Sequence, residues 1–176
     1  LLREDRARLH ERAARWLEAK VGDLVEHDDV IGYQLEQAHL LRSEAGSVEV
    51  ALGRAAAARL AAAGHRALDA DDRPVAASLL GRALACLPSD DPERAELLLE
   101  RCEALLGMGD VTSAVPAIDE LASLANDSRR LGAWVACFAG ELANLRDPAQ
   151  LAATAEAAAD AAATLAALGD DAGEAK

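Results

Sequence analysis

Four histidines, three cysteines and an excess of acids are the side chains of this chain that could do chemistry, and their spacing limits what that chemistry can be. His10-Glu11 begins the pattern of a helix-borne zinc site, in which two imidazoles one turn apart hold the metal and the glutamate acts as base. Ala14 occupies the position of the second imidazole, so the pattern does not close. Glu36-x-x-His39 has the spacing used in carboxylate-bridged di-iron bundles, which need two such pairs and two further glutamates; the chain has one pair. Asp69-Ala-Asp-Asp-Arg-Pro opens like a calcium loop but lacks the glycine at the sixth position and the glutamate at the twelfth, and reads as a solvated turn. Cys86, Cys102 and Cys137 are scattered through helical patterns, an arrangement suited to buried free thiols and not to a disulfide framework or a zinc site. There is no glycine-rich phosphate loop and no nucleophile elbow. The sequence assigns no catalytic, cofactor-binding or metal-ligating residue, and the expectation is a protein that is not an enzyme.

Composition narrows the remaining classes. Hydrophobic residues make up 52% of the 176 and aromatics 2%, so alanine and leucine must do the packing. Small side chains at that density favour close helix contact and high helix propensity, whereas a sheet wants β-branched and aromatic residues. An all-α fold is expected, with Trp16 and Trp134 as core anchors. The net charge is −13; residues 1–20 carry six basic and four acidic side chains, which leaves −15 for the rest. Such a body repels phosphate backbones and anionic membrane surfaces, so neither nucleic acid nor membrane is an expected partner. The longest uncharged run, Leu131 to Gly140, has about half the length of a membrane span. With free thiols, the expected compartment is the cytoplasm. The chain opens at Leu1, inside a helical pattern and without an initiator Met, and reads as a segment of a longer protein.

Helices follow from the apolar spacing. Leu2, Leu9, Ala13, Trp16 and Leu17 mark a first apolar stripe ending near Val21-Gly22, and a short acidic loop, residues 26–29, leads to a second helix capped by Asp29. Ile31, Leu35 and Ala38 form its inner side. Ser47 is placed to cap a helix over 48–68 whose face is Leu52, Ala56, Leu60, Ala63 and Ala67. Further helices are expected over 74–87, 93–107, 111–126 and 128–145, with Pro74 harmless in a first turn and Pro116 disturbing a second one. Val135, Phe138 and Leu142 point to the core, and an alanine-rich helix ends at Gly169-Asp170.

One pattern recurs. Leu60-x2-Ala63-Gly64-x2-Ala67 is followed by Ala76-x3-Leu80-x2-Ala83-x4-Pro88, and after Leu98, Cys102, Leu105 and Gly109-Asp110 comes Ala114-x3-Ile118-x2-Leu121. Asp72 and Asp110 coincide when Ala76 is laid on Ala114. A weaker third copy follows Asp147 as Leu151-x3-Ala155-x2-Ala158. These offsets of bulky and small residues resemble the tetratricopeptide repeat. The resemblance implies a right-handed superhelical array of antiparallel helix hairpins, an α-solenoid: a leading helical pair over 1–45, about three hairpins over 46–170 and the start of another over 171–176. The opening, Leu1 to Glu18, and the segment Ile31-Gly-Tyr-Gln-Leu-Glu-Gln-Ala-His39 resemble the helical region of large bacterial signalling proteins. In those proteins a P-loop ATPase module precedes tetratricopeptide-like repeats, and a nucleotide cyclase or DNA-binding regulator domain accompanies them.

What the resemblance implies about function is a sensor or coupling segment of an ATP-dependent regulator that binds a protein or peptide, or the parent's own ATPase module. The repeat register puts His65, Asp69, Glu96, Leu99, Glu103 and Asn144 on the partner-binding groove. Ala61 and His65 stand where chaperone-tail-binding relatives of the repeat carry a lysine and an asparagine, so a basic or amphipathic segment suits this acidic lining better than a terminal carboxylate. Two other readings stay open: a superhelix that senses a small-molecule effector, and a spacer or dimerisation arm that self-associates through an apolar strip at Ala152–Leu168.

Overall fold

The computed structural model describes residues 2–21, 25–47, 49–126, 128–147, 149 and 151–170, the side chains of 21, 25 and 151–153 excepted. These residues form α1 (Arg3–Val21), a 3₁₀ turn (Val25–His27), α2 (Asp28–Glu44), α3 (Val50–Asp69), α4 (Arg73–Cys86), α5 (Arg94–Gly107), α6 (Val111–Ala125), α7 (Arg129–Arg146) and α8 (Leu151–Leu168). No strand occurs among them, and the all-α expectation holds. The expected cap at Gly22, the helix start at Val48 and the further repeat over 171–176 lie outside the described residues. The chain divides into two compact units, Leu1–Leu97 and Leu98–Lys176, so the leading helical pair shares a unit with the first hairpin.

Turn chemistry sets the helix ends. Asp72 and Asp110 cap α4 and α6 in nearly the same backbone conformation (φ −89°, ψ 72° and φ −80°, ψ 74°), their carboxylates accepting from the Val75 and Ser113 N–H groups. A carboxylate oxygen there satisfies a donor that the helix leaves unpaired. Helices α2, α3, α5 and α8 stop alike: Gly46, Asp71, Gly109 and Gly169 adopt positive φ, and the following N–H returns to a carbonyl five residues back, as from Asp110 to Leu105 at 2.9 Å. This is the left-handed cap that favours glycine, and Asp71 is the one non-glycine residue using it. Two expected caps are not used. Asp29 lies inside α2, where its Oδ1 accepts from the Val30 N–H, because the chain turns helical already at Val25. Ser47 precedes α3, whose capping position is Glu49 without a side-chain bond. Helix α6 continues through Pro116.

In the first unit consecutive helices pack against each other from α1 to α4, and α2 also touches α4. Glycine permits the closest approaches. A methyl group on Gly53 would overlap the Cys86 carbonyl oxygen and come within 2.9 Å of His39 Cε1. At Gly32 and Gly64 it would meet Leu60 and Leu80, each at 3.0 Å. Around these crossings Ala56, Leu60, Ala76, Leu80 and Ala83 are fully buried. In the second unit α7 packs on α6 and on α8; Ala114, Ile118 and Leu121 are buried there as Ala76, Leu80 and Ala83 are in α4. The third copy departs from this pattern. Ala155 is exposed, and α8 turns Ala161 and Leu165 inward instead, since Leu165 offers far more apolar area than an alanine.

Helix α1 corrects the sequence reading most. The apolar spacing predicts Leu2, Leu9 and Trp16 on an inward stripe, yet they are 78%, 48% and 60% exposed, while Ala7 and Ala14 are fully buried. Polar pairing accounts for the rotation. His10 Nδ1 hydrogen-bonds Gln34 Oε1 at 2.7 Å and Glu11 accepts from Arg42 Nε at 2.8 Å. Rolling the large side chains inward would strand both pairs. Trp134 does anchor a core as expected: it is 5% exposed, packs on Phe138 with ring centroids 5.3 Å apart, and donates its indole N–H to Asp170.

Gly53→Ala is expected to lower stability by about 2 kcal/mol, because a backbone carbonyl cannot yield as a side chain can. Gly132→Ala, an exposed helical site with nothing within 4 Å, should instead raise it by about 1 kcal/mol. Urea melts of the two variants check both signs. A second expectation concerns acid. Arg54 Nε donates to the buried Asp91 at 2.6 Å, and this hydrogen bond chiefly holds the Asp91 carboxyl below the ordinary carboxylate range. The stability it gives is complete above about pH 4 and is lost as pH falls through the depressed native value. Asp91→Asn should therefore destabilise the protein near neutrality and flatten the acid limb of a pH–stability profile.

Candidate functional site

The six residues assigned to a partner groove fall in both units. His65, Asp69 and Glu96 belong to the first unit, and Leu99, Glu103 and Asn144 to the second. His65 and Asp69 stand exposed one turn apart on α3, and Glu96 and Glu103 stand exposed two turns apart on α5. Leu99 is a correction: it is 7% exposed and offers a partner almost no surface. The reason is that α5 buries most of its circumference, through Leu97, Leu98, Cys102, Ala104, Leu105 and Leu106. Asn144 is half-buried and its Oδ1 accepts from the Thr154 hydroxyl at 3.1 Å, which ties α7 to α8.

A more closely built surface lies on α2 and α4, where sequence reasoning assigned nothing. Glu36 is buried on α2, and its carboxylate accepts from Arg82 of α4 through Nε at 3.0 Å and Nη2 at 2.6 Å. That fork fixes the guanidinium plane and keeps the Arg82 pKa above its usual value, the Glu36 hydrogen bond being the largest cause. The guanidinium carbon sits 6.0 Å from the centre of the Tyr33 ring, and His10 meets the same ring edge-on at 6.5 Å. Tyr33 thus has both Arg82 and His10 as neighbours while remaining 44% exposed. Val30, 42% exposed, and Leu40, 44% exposed, lie on the same side of α2 at helical spacing. Glu36 is what a sequence can show here: an acid in the middle of an inward-facing stripe must find a cation.

At the start of α2, Asp28 takes two arginines. It is 3% exposed and accepts from Arg59 at 2.8 Å and from Arg66 at 2.7 Å, while Arg59 also reaches Glu18 at 3.0 Å. The stretch read as an acidic loop therefore supplies the tie between α1, α2 and α3. The acids of the supposed calcium-like turn serve separate purposes, Asp71 accepting from Arg73 and Asp72 capping α4. Glu36 and His39 likewise part, to Arg82 and to Gly53. Among the described residues no group of three or more His, Cys, Asp or Glu could hold a metal ion, and no helix is long and apolar enough to cross a membrane.

Compared with known proteins, the chain matches no family model, no curated protein and no solved structure.

The cysteines give a chemical check. Burial pushes the Cys86 thiol up to about 11 and the Cys102 thiol up to about 12. At pH 8 the reactive thiolate is then on the order of a thousandth of each or less. In the native protein a disulfide reagent should modify the half-buried Cys137 first. Cys86 and Cys102 should react only as fast as the protein opens, a difference that mass-resolved labelling with and without urea reads directly.

Proposed function

We propose that this chain is a non-enzymatic protein-interaction module that presents the α2–α4 face to a peptide or helix of a partner. The observation that carries this reading is Tyr33, half-exposed and in contact with Arg82 and His10, with Arg82 itself fixed by the buried Glu36. Tyrosine and arginine are the residue types that most often dominate interface energetics. Holding them in place beforehand removes part of the entropic cost of binding. Among the described residues, six of the eleven large hydrophobic side chains left exposed lie within residues 2–40, so this end of the chain is the adhesive one.

The tetratricopeptide-like solenoid remains part of this reading. It is supported by the matched caps and burial of α4 and α6, where the sequence repeat lies. In this view the segment is the sensor or coupling arm of a larger bacterial ATP-dependent regulator working in the cytoplasm, and the parent's own ATPase module is one partner. The acidic pair Glu96 and Glu103 gives α5 a preference for basic or amphipathic segments. A second reading, self-association, is favoured by α8, where Ala155, Ala157, Ala159, Ala163 and Ala166 are exposed together with Leu168 at 48%. Leu168→Glu probes it; Leu165 is fully buried and a charge there would break the core.

The test is capture of soluble partners by three baits: the native chain, Tyr33→Ala, and Glu96→Lys with Glu103→Lys. A partner held by the native chain should bind Tyr33→Ala more than about tenfold more weakly, with the helical circular dichroism unchanged. Loss with the lysine bait alone would move the site to α5. Equal capture by all three would reject both surfaces.

A further inference from the structure

The outer face of α1 carries a stripe that nothing in the first unit uses. Leu2, Leu9 and Trp16 recur every seven residues, which keeps them on one side of the helix over about 20 Å, and each stays largely exposed. Seven-residue spacing is the register in which one helix meets another. The flanks are charged with one dominant sign. At about 100° per residue, Asp5, Arg6, Arg12 and Lys20 fall within about 60° of the stripe, and all four are exposed. Arg6, Arg12 and Lys20 enter no ion pair among the described residues, whereas Arg3, Arg8 and Arg15, farther round the helix, pair with Glu44, Glu4 and Glu11. The face thus bears three cations and one acid, on a chain whose net charge is −13.

We infer that this face seats an amphipathic helix of a partner polypeptide, with an apolar seam that covers Leu2, Leu9 and Trp16 and carboxylates beside it that meet Arg6, Arg12 and Lys20. A second copy of the same face fits badly, because it brings a net charge of +2 against +2. A lipid surface would accept the cations, but the acidic body around them opposes it. The docking is distinct from that at Tyr33: Leu9→Lys leaves Tyr33 in place, and Tyr33→Ala leaves the stripe intact, so either surface can fail alone.

Trp16 supplies the readout, since Trp134 is 5% exposed and stays silent to a surface ligand. The probes are two designed helical peptides with the same leucine seam, one flanked by glutamates and one by lysines, titrated into the 176-residue chain. The glutamate peptide should shift Trp16 emission to the blue, shield it from acrylamide and bind at least about tenfold tighter than the lysine peptide, with the gap closing as salt rises. Arg6→Glu with Arg12→Glu should reverse the preference. Leu9→Lys, at an exposed position, should abolish binding of both peptides with the helical content unchanged. Indifference to peptide charge, or no shift with the glutamate peptide, overturns the inference. So does a concentration-dependent dimer that Leu9→Lys dissolves and the glutamate peptide cannot compete with, since the occupant would then be a second copy.

Discussion

Close approach between helices is the constraint on which the first unit depends, and glycine at the crossings is what allows it. With aromatics at 2% of the sequence, large side chains cannot fill wide gaps between helices, so the helices must come near enough for methyl groups to meet. Gly53 lies against the Cys86 carbonyl and His39, Gly32 against Leu60 and Gly64 against Leu80. Each of these contacts joins α3 to a neighbour, either α2 or α4. The alanines beside them then bury completely, and many weak dispersion contacts replace the few strong ones that a phenylalanine would make. A core of this kind is shallow and tolerates little added volume.

Apolar area alone leaves such helices free to roll, since an alanine stripe looks much the same from several angles. Charged and polar ties remove that freedom. Asp28 holds Arg59 and Arg66, Glu36 holds Arg82, and Glu11 holds Arg42. Buried pairs of this sort contribute little net stability, because desolvation offsets most of the attraction. Their effect here is on orientation: a rotated helix would leave a carboxylate buried without its cation. That explains why α1 exposes a tryptophan and two leucines while burying Ala7 and Ala14. It also explains how the α2–α4 face keeps an aromatic ring at the surface beside Arg82.

Local signals in the sequence were sufficient for the all-α class and for most helix bounds. The starts of α4, α6 and α7 were legible to within a residue from the apolar spacing; the capping side chains there, Asp72, Asp110 and Ser128, were not singled out, and the two caps that were, Asp29 and Ser47, are not used. The inward faces of α3, α4 and α6 were legible because their small and large residues alternate at helical spacing on one side only. Helix α1 was misread because its hydrophobicity points one way and its hydrogen-bonding partners, on another helix, point the other. Those partners are 24 and 31 residues away in sequence, beyond what periodicity can see. The same limit hid the Tyr33–Arg82 surface: Glu36 announces a need for a cation, but only the packing of α2 on α4 says which arginine meets it. Leu99 was drawn to the surface by a register transferred from a repeat pattern, which cannot sense that α5 is covered on most sides.

The two ways of spending large apolar residues bear on function. In an alanine-packed core the interior gains little from one more leucine at a crossing, where overpacking would push helices apart. A leucine or tryptophan placed outside costs the fold little and, on the proposed reading, is left for a second protein. A tryptophan and two leucines at the spacing of a helix–helix seam offer several hundred Å² of apolar area, on the order of what a single-helix partner covers. The cations that flank them lie on an otherwise acidic chain, and so give that area a sign. Orientation set by buried charge and adhesion supplied by exposed apolar residues are then consequences of one composition, in which small side chains make the interior and leave the large ones for contact.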